Sequence, residues 1–420
     1  MSERVTTTCC IVGGGPAGMM LGYLLARAGV DVVVLEKHQD FLRDFRGDTI
    51  HPSTLTAMDE LGLLPGLLRI PHRRADHLAA IIGGRRFQVA DFAKLRVRCP
   101  FIAFMPQWDF LDFLAREAAR FPNFQLHMQS EVVGLRTEHG RIAGVEAHTP
   151  RGELEVTAEL VVGTDGRSSI TRQLAGLQVR NLGAPMDVLW FSLSKSDNDP
   201  QESVGVFDAG AILVLIDRGT HWQCGYVIPK GSYDSEQRGN IEGFRNRVRR
   251  LAPHLADRLA EIGSWDDVKL LTVTVDRLER WWCPGLLCIG DSAHAMSPIG
   301  GVGINLAIQD AIAAANILAR PLLGHAVTDR ELTRVQARRS WPARATQSVQ
   351  LLAQKRIIAN ILGGDRPLQP PLALRILSSE GWMRRMLARL IGVGFRPEHP
   401  ATPAVAQLAT RWCMNNRRIQ

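Results

Sequence analysis

The segment from Cys9 to Glu36 constrains the fold of this chain more than any other. An apolar strand-type run, Cys9-Cys10-Ile11-Val12, leads into Gly13-Gly14-Gly15-Pro16-Ala17-Gly18. Met19 to Ala28 then shows helical periodicity, Gly29 closes it, and Asp31 to Leu35 (DVVVL) reads as a second buried strand ending on Glu36. The order is strand, G-x-G-x-x-G, helix, strand, acid, with the acid 23 residues after the first glycine. That spacing suits a bound dinucleotide. Gly13 permits the tight turn, Gly15 lets backbone N–H groups approach a pyrophosphate, and Gly18 lets helix and strand pack closely. The helix start offers unsatisfied donors and the positive end of its dipole. Glu36 is placed to accept from the adenosine ribose hydroxyls. Gly13, Gly15, Pro16, Ala17, Gly18, Glu36 and Lys37 are therefore the candidate cofactor contacts here. The motif by itself fits NAD and FAD equally.

Two later segments discriminate between them. Glu159 to Gly163 (ELVVG) reads as a buried strand running into Thr164-Asp165-Gly166-Arg167-Ser168-Ser169, with Arg172 following. Gly285 to Ile289 is another apolar strand, ending in Gly290-Asp291. It continues through Ala293-His294, Pro298 and Gly300-Gly301-Val302-Gly303 to Asn305, in an Ala-rich helix that contains Asp310. With these three motifs in this order the sequence resembles the class A flavoprotein monooxygenases, the family of para-hydroxybenzoate hydroxylase. The resemblance covers about residues 8 to 350.

The resemblance implies FAD as the cofactor and NADPH or NADH as electron donor. It also implies insertion of one oxygen atom into an aromatic or other apolar small molecule through a flavin hydroperoxide. It assigns Asp291 to a ribityl hydroxyl and Asp165, with Gly166, to FAD and NAD(P)H. Arg46 is assigned to the pyrophosphate, and Gln107, opening a helix, to the cofactor side. Gly290, Val302 and Asn305 join the FAD contacts. Pro298 would lie over the ring where oxygen reacts. Pro298, Gly300, Gly301 and Gly303 are the candidate catalytic positions: a helix N-terminus there would stabilise negative charge on reduced flavin. His294 is read as a packed histidine bracing this loop, and Asp310 as structural.

The motifs must converge on one FAD, so the expected fold is α/β. A discontinuous Rossmann-like FAD-binding domain (1–76, 100–180, 277–350) carries an inserted, mainly antiparallel β-sheet substrate domain (77–99, 181–276). A helical region (351–420) follows; from Val327 to the end the chain reads as mostly helical, with Pro breaks at 342, 367, 370 and 371. In the inserted sheet, alternation nominates Trp190, Leu213 and Tyr226, with His51 from the cofactor side, as substrate contacts. The family's phenol-deprotonating tyrosines do not transfer cleanly, because the chain has three Tyr (23, 226, 233) and only Tyr226 lies near a pocket. The strand ending Tyr226-Val227-Ile228-Pro229 is similar to a halogenase motif, Trp-x-Trp-x-Ile-Pro, but Cys224 and Tyr226 replace its tryptophans. Halogenase is disfavoured. The alternatives are a flavin-dependent reductase of the geranylgeranyl-reductase type and, less so, a non-catalytic FAD-binding protein.

Composition narrows partners and location. At 45% hydrophobic and 22% charged, the chain can bury a large core, which excludes disorder. The net charge is +8, but only six of the 50 cationic residues are Lys and the arginines are dispersed, so no nucleic-acid partner is expected. The partners expected are a small-molecule substrate and dioxygen, for a monomer or homodimer. Seven cysteines without metal spacing read as reduced thiols of a cytoplasmic protein with no metal site. Val5 to Ala26 is uncharged and long enough to span a bilayer, but five glycines and the dinucleotide motif explain it better. Leu372 to Val393 interleaves Arg with apolar residues, which fits a docking helix or, less favoured, a membrane-surface one.

Overall fold

A computed structural model describes residues 3–42, 49–362 and 380–404. Its first sheet runs in the order Trp282–Cys283, Leu286–Cys288, Gly152–Gly163, Glu3–Val12, Val32–Leu35, Phe124–His127. Gly152–Gly163 also pairs with Arg141–Thr149, which pairs with Glu131–Glu138. The central strands are parallel: Glu3–Val12 lies between Gly152–Gly163 and Val32–Leu35, and Leu286–Cys288 borders Gly152–Gly163. Parallel strands are covered on both faces, which is why they read as unbroken apolar runs. All four residues of Val32–Leu35 are buried.

Register is what assembles the site. Leu35, Val12, Gly163 and Cys288 stand abreast at the carboxyl ends of their strands. The ladder extends one step beyond, through Gly13 N–H to Leu35 O (2.8 Å), Thr164 N–H to Val12 O (2.8 Å) and Ile289 N–H to Gly163 O (3.1 Å). All three motifs therefore leave the same edge, where open α/β sheets bind ligands.

Helix Pro16–Arg27 returns from that edge and packs against helix Gly303–Leu323. The stretch Val5 to Ala26 is thus strand, turn and core helix. Ile299–Leu323 is long and apolar enough to cross a membrane, but 78% of its apolar window is buried inside the protein.

The second sheet has the order Lys269–Leu271, Met186–Ser194, His221–Pro229, Ala211–Asp217, Val204–Asp208, His77–Ile82, Arg85–Asp91. It is antiparallel except where Val204–Asp208 meets His77–Ile82. Residues 77–104 are expected from sequence to join it as a strand pair; His77–Ile82 and Arg85–Asp91 do so, but Ile102–Phe104 instead pairs with Thr49–Ile50 and Arg73–Ala75 in a separate small sheet. The apolar face of helix Ile241–Leu251 and the 3-10 turns of Pro253–Glu261 cover one face of the second sheet.

Helix Asp329–Ala353 begins on a capping box, Thr328 with Glu331, and runs straight through Pro342, where a break was expected. Pro342 is buried in the helix and its carbonyl still accepts from Thr346 Oγ1 (2.9 Å). One missing N–H donor costs less here than leaving the helix's buried side unpacked. Pro367, Pro370 and Pro371 lie outside the described residues. Helix Gly381–Gly392 docks against strand Arg85–Asp91.

Candidate functional site

The first motif forms a tight cradle. Gly13 has φ +106°, and a Cβ there would lie 2.6 Å from the Thr164 carbonyl oxygen, so only glycine fits. Thr164 Oγ1 donates to Val12 O (2.9 Å) and Gly13 O (2.7 Å), locking the central motif to the first. A Cβ on Gly18 would collide with Gly13 O at 2.0 Å, the close helix–strand approach the spacing anticipates. Helix Pro16–Arg27 starts with Gly15 as N-cap and Pro16 at its first position, and no side chain caps it. Its first N–H groups are left for a ligand. Glu36 is buried at the strand end; its carboxylate accepts from Gly14 N–H (2.8 Å) and His38 N–H (3.1 Å). Lys37 is exposed. Arg46 lies outside the described residues. Gln107 opens helix Gln107–Ala118 and is half-buried.

The Gly-Asp motif meets the first at close range. A Cβ on Gly290 would sit 3.1 Å from Ala17 Cβ and 3.3 Å from Ala307 Cβ, so the two helix starts close around this turn. Asp291 is half-exposed and has no hydrogen-bond partner among the described residues. The next acid along is fully employed. Asp310 accepts from Gly290 N–H (3.1 Å), His294 Nε2 (2.5 Å) and Arg339 Nε (2.8 Å), with no exposed surface. Burial alone would raise its carboxyl pKa; His294 and Arg339 outweigh that and hold it below the usual range. His294 thus braces the loop, and Asp310 is its anchor.

Pro298 is half-buried and precedes Ile299–Gly301. Gly301 has φ +62°, and a Cβ there would press Thr49 Oγ1 at 2.4 Å; Thr49 Oγ1 donates to Gly301 O (2.9 Å). Gly300, also at positive φ, faces near-open space, and a Cβ on Gly303 would meet nothing within 4 Å. Val302 is the N-cap of Gly303–Leu323, again without a side-chain cap.

Several expectations need correction. Asn305 was assigned to the cofactor, but its amide is spent clasping two loops. Oδ1 accepts from His51 N–H (2.9 Å) and Thr54 Oγ1 (2.7 Å), and Nδ2 donates to Thr49 O (3.2 Å) and Gly301 O (3.4 Å). His51, assigned to substrate, is fully buried, with Nδ1 2.8 Å from Ile391 O. Helix Gly381–Gly392 closes over it, a packing that local sequence could not show. Asp165 is not among these corrections: its carboxylate oxygens accept from Thr171 N–H (3.0 Å) and Oγ1 (2.9 Å), which shapes the loop that Gly166 turns at φ +84° and leaves each oxygen with further acceptor capacity.

The substrate sheet shows a parity error. Leu213 and Tyr226 were nominated as pocket residues, but both point to the helix-covered face, where Tyr226 meets Phe244 edge-on at 5.5 Å. Trp190, also nominated, belongs to the opposite face. There it packs against the cluster of Val188, Ile212, Val227 and Ile361, which Ile299 of the glycine loop also packs against. Trp190 stands opposite Gly225, whose added Cβ would meet the indole at 3.1 Å, so the ring lies along the bare backbone. Ile212, Gly225 and Val227 share the face of Trp190, which Leu351, Ile361 and Leu362 also pack against. The one available signal for that face was parity counted from Trp190.

His51 also sets a pH dependence. Burial pushes its pKa down to about 4, opposed in part by the Ile391 carbonyl, so the folded ring stays neutral where an unfolded one, near 6.5, is charged. The unfolded state then binds more protons between those values. Stability is complete above about pH 6.5 and is lost as pH falls toward 4. Between pH 7 and 4.5, urea unfolding should show the stability gap between wild type and His51→Asn shrinking by about 2 kcal/mol. A gap independent of pH would contradict this.

Comparison with known proteins agrees with this geometry. The family described as FAD binding domain matches residues 6–349. The 6-methylpretetramide 4-monooxygenase of Streptomyces rimosus is 32% identical over 391 residues, covering 92% of this chain and 93% of that protein. Among solved structures, p-nitrophenol 4-monooxygenase PnpA from Pseudomonas putida DLL-E4 superposes with a TM-score of 0.73 at 20% identity, over 92% of this chain and 97% of that one. A flavin-dependent brominase gives 0.76 at 16% identity, over 99% and 100%. At these identities the two structures speak to fold alone.

Proposed function

The chain belongs to the FAD binding domain family and is an FAD-dependent monooxygenase, and from that premise we propose that it hydroxylates a flat, fused-ring phenol of the pretetramide type. The observation that carries the substrate class is the relative named 6-methylpretetramide 4-monooxygenase, alike over nearly the whole length of both chains. The indole of Trp190, laid along Gly225 beside the glycine loop, supports it by offering a planar wall to a planar ligand. In this reading the cofactor unit is discontinuous (1–76, 100–180, 277–350), and the second sheet (77–99, 181–276) covers the substrate. Six described cysteines are free, which favours a reducing, cytoplasmic setting. Helix Gly381–Gly392 docks on the protein itself, which favours it over a membrane-surface role.

The residues present fit FAD. Asp291, without a protein partner, is free to accept from a ribityl hydroxyl. The uncapped start of Pro16–Arg27 would hold the pyrophosphate, and Glu36, at the end of Val32–Leu35, would take the ribose. The uncapped start of Gly303–Leu323 would offer N–H donors and a positive dipole end to negative charge on the reduced ring. When bound, FAD reduced by NAD(P)H supplies the activation of dioxygen: one oxygen atom goes to the substrate and the other leaves as water. The chain's part is to hold the ring, present the phenol and exclude water. Val188, Ile212, Val227 and Ile299 make that wall apolar, which dries the reacting volume. None of the three tyrosines lies on it. Tyr23 is in the first helix, Tyr226 faces the other way, and Tyr233 opens a short surface helix. The phenol proton therefore leaves by a route that does not use tyrosine.

Incubation of fused-ring phenols with NAD(P)H and mass detection tests the substrate class, with a product one oxygen heavier as the expected result. Face assignment is tested on the same substrate. Trp190→Ala should weaken binding by about tenfold, the loss of one aromatic stacking contact, and Tyr226→Phe should stay within about twofold. Equal effects in the two variants would contradict the placement.

A further inference from the structure

A cavity of about 210 Å³ lies away from the glycine loop, on the outer side of the His294 brace. Arg180, Arg277, Arg344, Glu279, Trp281 and His294 line it. Its arginines are in an unfavourable arrangement on their own. Arg180 and Arg277 are direct register partners in the antiparallel ribbon Val179–Asn181 with Asp276–Leu278, and like charges so opposed destabilise a strand pair. Arg344 approaches the same space from helix Asp329–Ala353. Burial, and then Arg180 and Arg344, lower the pKa of Arg277. None of the three guanidinium groups has a carboxylate partner among the described residues, Glu279 included. Among the described residues, the only hydrogen bond any of their side chains makes is from Arg344 Nε to the Ser340 carbonyl (3.3 Å).

The second observation is at the cavity wall. His294 is 1% exposed; its Nε2 is bound to Asp310, and its Nδ1 is buried with no hydrogen-bond partner among the described residues. The ring is held against Trp281, centroids 4.9 Å apart, so Nδ1 cannot swing away to find one. A buried polar atom left this way costs free energy unless a ligand meets it. Three unpaired guanidiniums and one orphaned ring nitrogen on one small cavity call for a compact, oxygen-rich anion, because the Arg fork matches phosphate geometry.

We propose that this cavity binds a phosphate-group anion, held by Arg180, Arg277 and Arg344, with His294 Nδ1 accepting from a P–OH hydroxyl of the anion while Nε2–H stays on Asp310. Occupancy relieves the Arg180–Arg277 repulsion and satisfies the orphaned nitrogen. Through Asp310, which also accepts the Gly290 N–H, the site is joined to the loop that carries Asp291.

The test is calorimetric titration of the FAD-loaded enzyme with inorganic pyrophosphate, at constant ionic strength set with chloride. It needs no turnover, so it stands or falls separately from the monooxygenase reading. Wild type should show saturable one-to-one binding, weakened by about tenfold or more in Arg277→Gln/Arg344→Gln. Without phosphate, that double variant should melt no lower than wild type, because a repulsion has been removed; with pyrophosphate, only wild type should gain melting temperature. Arg180→Gln, at an exposed position, should weaken binding in the same direction without risk to the core. The source of the phosphate group is read from the nicotinamide nucleotides. A rise in KM for NADPH but not NADH in the Arg variants assigns it to the 2′-phosphate, and no change in either assigns it to a free phosphate species. Absence of saturable binding in wild type, or undiminished binding in the double variant, would overturn the proposal.

Discussion

Asp291→Ala is expected to emerge from purification with most of its FAD gone and its fold intact. The carboxylate stands half-exposed at the turn where the starts of Pro16–Arg27 and Gly303–Leu323 meet, and nothing among the described residues engages it. Its neighbours differ in this respect: Asp165 is committed to Thr171, and Asp310 to Gly290, His294 and Arg339. Removing a free carboxylate costs the protein no internal bond. It does cost the cofactor a charge-assisted hydrogen bond, about 1.5–3 kcal/mol, or roughly ten- to more than a hundredfold in affinity. Asp291→Asn, which keeps an acceptor without the charge, should fall between the two. The ratio of flavin to protein absorbance after gel filtration reads the effect. A full complement of FAD in the alanine variant would remove Asp291 from the cofactor site.

Arg339→Met should be the most destabilising single change in the cofactor region. Arg339 has no exposed surface and holds two carboxylates, Asp310 at 2.8 Å and Glu398 at 3.4 Å, each nearly or fully buried. Glu398 keeps Arg338, at 2.8 Å, but Asp310 would keep only His294 and the Gly290 N–H. Breaking a buried pair from one side typically costs about 3–5 kcal/mol, because the remaining charge is left without compensation. Methionine retains most of the volume, so the loss isolates charge from packing. Thermal unfolding should drop by several degrees, with flavin release at the lower transition, since Asp310 anchors the turn before Asp291. A melting temperature equal to wild type would show the network to be dispensable.

The parts of this fold that were legible are those in which one segment carries the whole physical requirement. The strand, glycine turn, helix and acid from Cys9 to Glu36 are contiguous, and each glycine answers a local clash, as Gly13 does against Thr164. The strands ending at Gly163 and Cys288 announced themselves as apolar runs closed by Asp-Gly and Gly-Asp. The substrate sheet was less readable for a definite reason. From Trp222 to Ile228 every residue is buried, so no polar alternation marks which face is which. A strand covered on both faces, here by helix Ile241–Leu251 on one and by Leu351, Ile361 and Leu362 on the other, loses the signal that a half-exposed strand keeps. The face of Tyr226 is unmarked for that reason; on the strand of Leu213 only Val214 and Ile216 depart from full burial, and both are apolar. Asn305 and His51 failed differently. Their fates depend on Thr49, Thr54 and Ile391, brought close by the tertiary fold. The Arg172–Asp276 pair, buried at 3.1 Å, spans a separation that no local pattern reveals.

The central claim is that this chain holds FAD at the joint edge of three strands and uses it to place one atom of dioxygen on an aromatic ring. Turnover under ¹⁸O₂ with NAD(P)H and a fused-ring phenol tests it most directly, with the product read by mass spectrometry. The expected product carries a single ¹⁸O, and no product forms when dioxygen is excluded. Substrate conversion at full rate without dioxygen, to a reduced product lacking the label, would contradict the account and place the protein among the flavin-dependent reductases.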